Sequence, residues 1–544
     1  MRFSRRSILK TSALLSAAAA LPSWFIEPLL AATPLTRHDV NGTSADAKAA
    51  VAAYRKGVEV MKQRPAHDPT SWIFQANIHS WPGQFRRTAD DPEQEFREVF
   101  SPQSTQGLSA AEKTRREQLA RKLWGTCTHG DPQERFLPWH RVYLFFLERI
   151  VRAAAGLDAS SPLGLPYWNW TKDRTLPLPF REAVNGSQAN NALFWNNRQS
   201  SVNRIANPTS IRQSDVRVST ILDLPGFSPT FPPRPQQGFS NDLEDGPHGN
   251  VHVWVQIPPN GMGFFEQAAR DPIFWLHHCN IDRLWMTWRS KPGHRDPEDA
   301  IVTPNMRWDA LPQDFADADG QIRTLTTKQV LIAAAILDQG YTYDDMPIVV
   351  AAQPPTSESG PAAAAAPTPS PEPVARSGPL RVSNRTSVVL QPRQQPGSPA
   401  ATATPLPIPV VLALKDIVAE GTTAPVYDVY LNLPEGEQPN PDGPYFAGTV
   451  NVFNAQAAGR TMAVPEGANR PSGHDAHLRV EKKIAVAELL QRQRDGGLWQ
   501  GGPVNVTIVP SSPVEGGGGD GGATPVAPTT AGALQIGAME LIGR

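Results

Sequence analysis

Histidines are the residues of this sequence whose spacing could do chemistry. Six of the twelve form three clusters: His129 and His140, His248 and His252, and His277 and His278. His79 stands alone upstream. Imidazole nitrogens bind copper, zinc, iron and nickel, whereas the lack of paired cysteines argues against a structural zinc or iron–sulfur site. Spacing alone gives a multi-histidine metal site about the same weight as a set of hydrogen-bonded core histidines.

The segments around these histidines have the apolar spacing of helices. Three segments show it clearly: Glu112–Trp124, Arg141–Ala155 and Ile273–Trp288. On a helix, His248 and His252 share one face, because they are four residues apart, and could bind one ion. Phe180–Asp242 is rich in Asn, Ser, Pro and Arg, which predicts irregular loop. We therefore expect a mainly α-helical domain, a bundle with long loops, that holds the histidines.

A second domain follows a spacer. Residues 352–375 consist largely of Pro and Ala and contain no aromatic residue, which predicts a semi-rigid linker between domains 33–351 and 376–544. Beyond the linker, short runs of strand type are bounded by Pro and Gly: Val410–Val418, Pro425–Leu433, Tyr445–Phe453, Val504–Val509 and Leu534–Leu541. One helix is predicted among them, over Ile484–Arg494. These runs predict a small all-β sandwich or barrel.

The N-terminus carries a candidate export signal. Arg5 and Arg6 precede an apolar stretch, Thr11–Leu21, and small residues follow at Ala31 and Ala32. This pattern resembles the twin-arginine signal, so we expect residues 1–32 to be a signal peptide and the mature protein to be periplasmic or secreted. The apolar stretch is too short for a spanning helix, and no stable membrane insertion is expected.

Composition excludes some classes of function. The 51 basic and 52 acidic side chains leave a net charge of −1, which argues against nucleic-acid binding through a basic surface. Two cysteines cannot build a disulfide framework.

Longer motifs around the histidines resemble a known family. Phe136–Arg141 and Asp271–Trp285 are similar to the two copper-site stretches of the tyrosinase, catechol oxidase and haemocyanin family, and Pro247-His248 with His252 matches the element between them. The resemblance implies two copper ions, each held by three histidines. Copper A would take His79, His129 and His140, and copper B would take His248, His252 and His278. His277 and Asp282 would support these ligands without binding copper.

The same resemblance extends past the histidines. Gly340–Asp344 looks like the tyrosine motif that closes the first domain of plant-type polyphenol oxidases, and Tyr427–Tyr430, Phe446–Gly448 and Val506–Pro510 resemble their C-terminal region. In that family the C-terminal domain covers the active site of a latent form. We expect the β domain to do the same here, with the linker as the cleavable connection.

The resemblance also assigns roles to three residues near the copper sites. Phe265 matches the gate phenylalanine above copper A, and Glu244 resembles the acid that holds a water. Gly249 stands where members with strong monophenol hydroxylation often have an asparagine that orients this water. Because glycine has no side chain and Asn250 is one position late, the sequence favours diphenol oxidation over monophenol hydroxylation.

The state of Cys127 stays open at this point. It lies two residues before His129, the spacing at which fungal tyrosinases and some haemocyanins carry a Cys–His thioether. A buried free thiol and a disulfide with Cys279 are the alternatives.

The resemblance predicts a polyphenol oxidase that uses O₂ to convert o-diphenols to o-quinones. The alternatives are a tyrosinase with monophenol hydroxylation, an o-aminophenol oxidase, a haemocyanin-like O₂ carrier, and a matrix protein with a degenerate site. The expected partners are O₂ and small phenols, and a copper-loading accessory protein is a further candidate. The oligomeric state is left open. The other five histidines, His38, His67, His294, His474 and His477, are expected at the surface.

Overall fold

The computed structural model describes residues 21–25, 34–82, 93–127, 135–228, 238–256, 261–294, 312–326, 329–330, 332–333, 340–346, 373–392, 411–420, 426–453, 480–511 and 533–543. The twin arginine, His129, His474, His477 and most of the predicted linker lie outside these ranges. Within them, no helix is both long enough and apolar enough to cross a membrane.

The first domain is helical, which confirms the predicted fold class. Its helices are α1 (Ala45–Gln63), α2 (Trp72–His79), α3 (Gln94–Val99), α4 (Ala110–Leu123), α5 (Phe136–Ala155), α6 (Ser219–Leu222), α7 (Phe239–Leu243), α8 (Gly249–Val255) and α9 (Pro272–Arg289). The described residues of this domain also form two small sheets: β1 (Leu35–Arg37) pairs in parallel with β4 (Tyr341–Tyr343), and β2 (Pro312–Ala316) pairs with β3 (Ile322–Thr326). Helices α4, α5 and α9 lie where the apolar spacing predicts them.

The two central helices, α5 and α9, start at residues suited to helix ends. Helix α5 begins at Phe136, so Pro138 falls in its first turn, where a missing N–H costs nothing. Helix α9 begins with Pro272 after Asp271, whose carboxylate accepts a hydrogen bond from the Ile273 N–H at 3.1 Å. Asp271 also pairs with the buried Arg198, which ties the irregular segment before α7 to the start of α9.

The second domain is a nearly closed antiparallel barrel. Its strands are β5 (Pro373–Ser377), β6 (Leu380–Val382), β7 (Thr386–Pro392), β8 (Val411–Glu420), β9 (Val426–Leu431), β10 (Phe446–Asn451), β11 (Val480–Ala485), β12 (Val504–Ser511) and β13 (Ala533–Ile542). Their order is β10-β9-β12-β7-β5-β13-β8-β11, with β6 also paired to β13. The end strands β10 and β11 lie close together. A Cβ built on Gly448 of β10 would lie 3.1 Å from the Ile484 side chain of β11.

Some boundaries in the β domain differ from the predicted ones. Strand β5 starts at Pro373, within the stretch predicted as linker, and β11 occupies Ile484, which was predicted to start a helix. The helix α10 begins later, at Ala487, and ends at Asp495. Sequence patterns missed β5, β6, β7 and β11 because Pro, charged residues and short length hide their alternation.

Residues 21–25, within the predicted signal peptide, pack against the helical domain. The Phe25 side chain is fully buried and its ring centroid lies 4.8 Å from that of Phe145. Trp24 contacts Phe146 at 6.3 Å. Removal of a leader at Ala32 would therefore expose an apolar part of α5.

Candidate metal centre

Four helical segments bring the predicted histidines together in the buried centre of the first domain. They contribute His79 at the end of α2, His140 in the first turns of α5, His248 and His252 around the start of α8, and His277 and His278 in the middle of α9. All six side chains are at most 3% exposed.

One group consists of His79, Cys127 and His140, whose ligand atoms lie within 4.8 Å of one another. Cys127 Sγ is 3.4 Å from His140 Nε2. His129, the predicted partner of the thioether, lies outside the described residues, so the thioether stays a prediction. Cys127 and Cys279 are not joined by a disulfide in the described part of the chain.

The other group consists of His248, His252, His277 and His278, again within 4.8 Å. The two groups face each other: the His140 and His278 rings stack with centroids 4.3 Å apart and an interplanar angle of 6°. Two sets of nitrogen donors therefore meet across one short gap. That arrangement suits a pair of metal ions better than a single one.

Hydrogen bonds hold three of these rings with Nε2 directed at the gap. Nδ1 of His140, His248 and His252 contacts the backbone carbonyl oxygens of Phe136, Glu244 and Met262 at 2.8, 3.0 and 2.8 Å. Each Nδ1 must carry the proton, because a carbonyl can only accept, so each Nε2 presents a lone pair. His248 Nε2 and His252 Nε2 are 3.1 Å apart, a contact of two lone pairs that a cation would relieve.

His278 supports the same conclusion. Both of its ring nitrogens are buried and, within the described part of the chain, have no hydrogen-bond partner. Burial, with a further contribution from His140, holds the pKa of His278 well below its usual range, so the ring is neutral. A buried, neutral imidazole without a partner is costly unless a metal binds it.

His277, which was predicted only to support the ligands, is itself a member of the second group. Its ring stacks on His248 with centroids 5.3 Å apart and an interplanar angle of 17°. The other predicted supporting residue, Asp282, is one turn beyond His278 and forms buried ion pairs with Arg37 and Arg141 at 3.0 and 2.5 Å. These pairs connect α9 to β1 and α5.

The tyrosine motif completes the network around Asp282. The hydroxyls of Tyr341 and Tyr343 donate to the Asp282 carboxylate at 2.5 and 2.6 Å. Burial alone would raise the pKa of Asp282, but Arg141, Arg37 and the two tyrosines outweigh it and lower the pKa. The aspartate is thus a fixed anion that orients α9, the helix that carries His277 and His278.

Phe265 and Glu244 lie beside the histidines. The Phe265 ring centroid is 4.8 Å from that of His79, on the side of the first group. Glu244 is 3% exposed, and it belongs to a turn of π-helix, Glu244–His248, that leads directly into α8. The π-turn arises where Pro247 interrupts the helical hydrogen bonds, and Gly246 takes a backbone conformation outside the helical region.

The barrel covers this centre, and its contact residues were not predicted as site residues. Phe453, just after β10, stacks on His252 with ring centroids 4.0 Å apart and an interplanar angle of 22°, and its centroid is 5.6 Å from that of His248. Asn250 donates to Thr449 Oγ1 of β10 at 3.0 Å and to the Asp215 carbonyl at 3.0 Å. The Phe446–Gly448 motif lies near these residues, but nothing in the sequence indicates that this segment packs close to the histidines.

Ion pairs join the cover domain, as we call the barrel of residues 373–543, to the helical domain, and two of them are largely buried. Arg212 pairs with Asp428 of β9 at 2.8 Å, and Lys482 of β11 pairs with Asp245 of the π-turn at 3.0 Å. The Lys482 side chain is only 5% exposed. A largely desolvated pair of this kind fixes the orientation of two surfaces more than it stabilises them.

Two of the histidines expected at the surface are buried. His38 is 9% exposed and contacts Asp344 at 3.2 Å, and His67 is 4% exposed and contacts the Ser104 carbonyl at 3.0 Å. Their polar sequence context predicted exposure wrongly, because distant residues supply the hydrogen bonds that make their burial possible.

Comparison with known proteins agrees with this geometry. A family described as the common central domain of tyrosinase matches residues 69–291, and a domain family of unknown function matches residues 375–518. Tyrosinase HcTyr1 of Hahella sp. (strain CCB-MM4) is 26% identical over 488 residues, which are 84% of this chain and 92% of the relative. Catechol oxidase B of Solanum tuberosum is 26% identical over 406 residues, which are 70% of this chain and 63% of the relative. The chain thus spans less than two thirds of that plant protein.

The two-domain fold is also found in a solved structure. The structure of latent apple tyrosinase aligns with 94% of this chain and 97% of its own, with a TM-score of 0.53 at 19% identity. Its coverage includes both the helical domain and the barrel. The matched central domain, the relatives and this structure together support the tyrosinase and polyphenol oxidase family for this chain, with a C-terminal region of the plant type.

Proposed function

We propose that this protein oxidises o-diphenols to o-quinones with O₂ at a pair of copper ions. The observation that carries the proposal is the pair of buried histidine groups facing each other across the stacked His140 and His278 rings. His79, His129 and His140 would hold one copper, and His248, His252 and His278 the other. Family membership supports copper and O₂, and a relative named as a catechol oxidase supports the substrate class.

The overall reaction balances as two catechols and one O₂ giving two o-quinones and two waters. The copper pair, when bound, exchanges the electrons between catechol and O₂. The chain supplies neutral imidazoles, whose Nδ1 protons are held by carbonyl oxygens, so that ligation releases no proton from these rings. The face of His252 that Phe453 covers is wide enough for an aromatic ring, so we assign the substrate ring to this place.

Diphenol oxidation is favoured over monophenol hydroxylation. Gly249 has no side chain that could orient a water beside Glu244. The Asn250 amide nitrogen is bonded instead to Asp215 and Thr449, so in the closed protein it does not serve that purpose.

We further propose that the protein is latent until the cover domain is released. Phe453 lies where a substrate ring would stack, and the structural likeness to a latent tyrosinase extends over both domains. Cutting the chain between residues 352 and 372 is expected to allow release. The leader resemblance supports export by the twin-arginine route to the periplasm or beyond, which would carry the protein already folded around its metal.

The test is to offer catechol and tyrosine side by side, under O₂, to copper-loaded protein from which the cover has been removed. Quinone from catechol, with little from tyrosine, is the expected result. Equal turnover of both would make the protein a tyrosinase and overturn the role given to Gly249. Oxidation of o-aminophenol but not of catechol would replace the substrate class. No turnover of any of them with two coppers bound would overturn the oxidase function in favour of O₂ carriage.

A further inference from the structure

Gly249 is in close contact with the cover domain. A Cβ at this position would lie 2.5 Å from Asn451 Oδ1, 2.6 Å from Nδ2 and 2.8 Å from Cγ. Real side chains do not approach so closely, so residue 249 can carry a side chain only if Asn451 moves. Asn451 is the last residue of β10 and belongs to the cover.

The backbone at Gly249 does not itself require glycine. Gly249 is the first residue of α8, with φ −65° and ψ −33°, which any residue adopts. Glycine in a helix costs about 1 kcal/mol relative to alanine. The close approach of Asn451 is the feature of the structure that accounts for glycine at this position.

Asn451 cannot turn aside freely. Its side chain is fully buried, and its Nδ2 donates to the Asp245 carbonyl at 2.8 Å and to Asn250 Oδ1 at 3.1 Å. Its Oδ1 accepts a hydrogen bond from the Phe453 N–H at 3.3 Å. The same amide thus binds the turn that carries His248 and orients the backbone of the residue that covers His252.

We propose that Gly249 is the contact point that keeps the cover closed. Any side chain at position 249 displaces Asn451, breaks its bonds to Asp245 and Asn250, and moves Phe453 away from His252. The absence of a side chain at Gly249, directly after His248, then keeps the protein latent, in addition to any effect on monophenol hydroxylation. The inference rests on the latency part of the proposed function.

The experiment compares Gly249→Ala with the unmodified full chain in two measurements. In the first, the linker is cut in metal-free protein, and the fraction of cover that stays with the helical domain is measured by size-exclusion chromatography over a dilution series. We expect the affinity between the two parts to fall about tenfold, as the loss of one or two hydrogen bonds would give. In the second, catechol oxidation by each copper-loaded variant is measured before and after cover removal.

The ratio of these two activities within one variant cancels any effect of the substitution on the chemistry itself. We expect the ratio for Gly249→Ala to rise about tenfold toward one. The matched control is Gly378→Ala in the cover, where a Cβ meets nothing within 4 Å and both measurements should be unchanged.

Repeating the substitution in a second variant distinguishes a steric conflict with Asn451 from a general loss of stability. Asn451→Gly removes the side chain that residue 249 would strike, so adding Gly249→Ala to it should change the affinity by less than about twofold. An unchanged affinity for Gly249→Ala alone, or an equal loss in both backgrounds, would overturn the inference. Failure of the oxidase function would appear as no catechol turnover after cover removal and would leave the affinity measurement intact.

Discussion

Replacing Phe453 by alanine should activate the full chain without proteolysis. The Phe453 side chain is 2% exposed and lies between His252, His248 and Phe265 at the domain contact. Burying a phenylalanine side chain stabilises the closed arrangement by about 1.5–3 kcal/mol. Losing that term shifts the equilibrium between closed and open cover roughly ten- to a hundredfold toward the open form. The void left by the ring also admits a substrate ring directly.

The assay is the initial rate of catechol oxidation by copper-loaded full chain, divided by the rate of the same variant after cover removal. Phe446→Ala is the matched control, because Phe446 lies in β10, the strand that ends just before Phe453, but its ring packs on Tyr430 with centroids 5.6 Å apart. The control should change the ratio by no more than about twofold. If Phe453→Ala kept the ratio of the unmodified chain while cover removal raised activity many-fold, Phe453 would not be the group that blocks the site.

Two further substitutions test the site and its support. His252→Ala should abolish the paired site, and copper analysis of the loaded protein should find fewer than two ions per chain, because one copper loses a ligand; retention of both ions with full oxidase activity would contradict the ligand assignment. Asp282→Asn should lower the free energy of unfolding by about 3–5 kcal/mol, since the buried Arg37 and Arg141 would each lose an anionic partner, whereas Asp223→Asn in the exposed pair with Lys291 should change it far less. Because folding lowers the pKa of Asp282, the stabilising effect of this carboxylate is present above about pH 4 and fades below it. The free energies of unfolding of Asp282→Asn and the unmodified chain should therefore converge in acid. A difference that stayed constant with pH would argue against the ion pairs.

Much of the histidine cluster could be predicted because the residues that form it lie in short, continuous stretches of the sequence. The run from Asp271 to Trp285 specifies a capped helix, two histidines and Asp282 in one unbroken stretch. The run from Phe136 to Arg141 does the same for His140. Each run fixes a side-chain direction through helical periodicity, so only the approach of the helices is left to tertiary packing.

The cover contacts were not predictable in the same way. Asn451 and Phe453 lie about two hundred residues after Gly249 and His252, at the end of a strand whose sequence indicates only alternation. Their role depends on how the barrel docks, and docking is determined by pairs such as Arg212 with Asp428. Sequence reasoning therefore gave Gly249 a role in water orientation alone, because its contact with Asn451 is visible only in the folded chain.

The π-turn Glu244–His248 connects latency to the metal centre. Its Glu244 carbonyl fixes the His248 ring, while its Asp245 carboxylate binds Lys482 and its Asp245 carbonyl accepts from Asn451. The cover therefore contacts the turn that carries His248, a proposed copper ligand, and also occupies the space above it. Opening the cover removes both partners of Asp245 and leaves this turn supported by the helical domain alone. Release of the cover should accordingly have two effects: it gives the substrate access to the site, and it changes the support of the turn that positions His248.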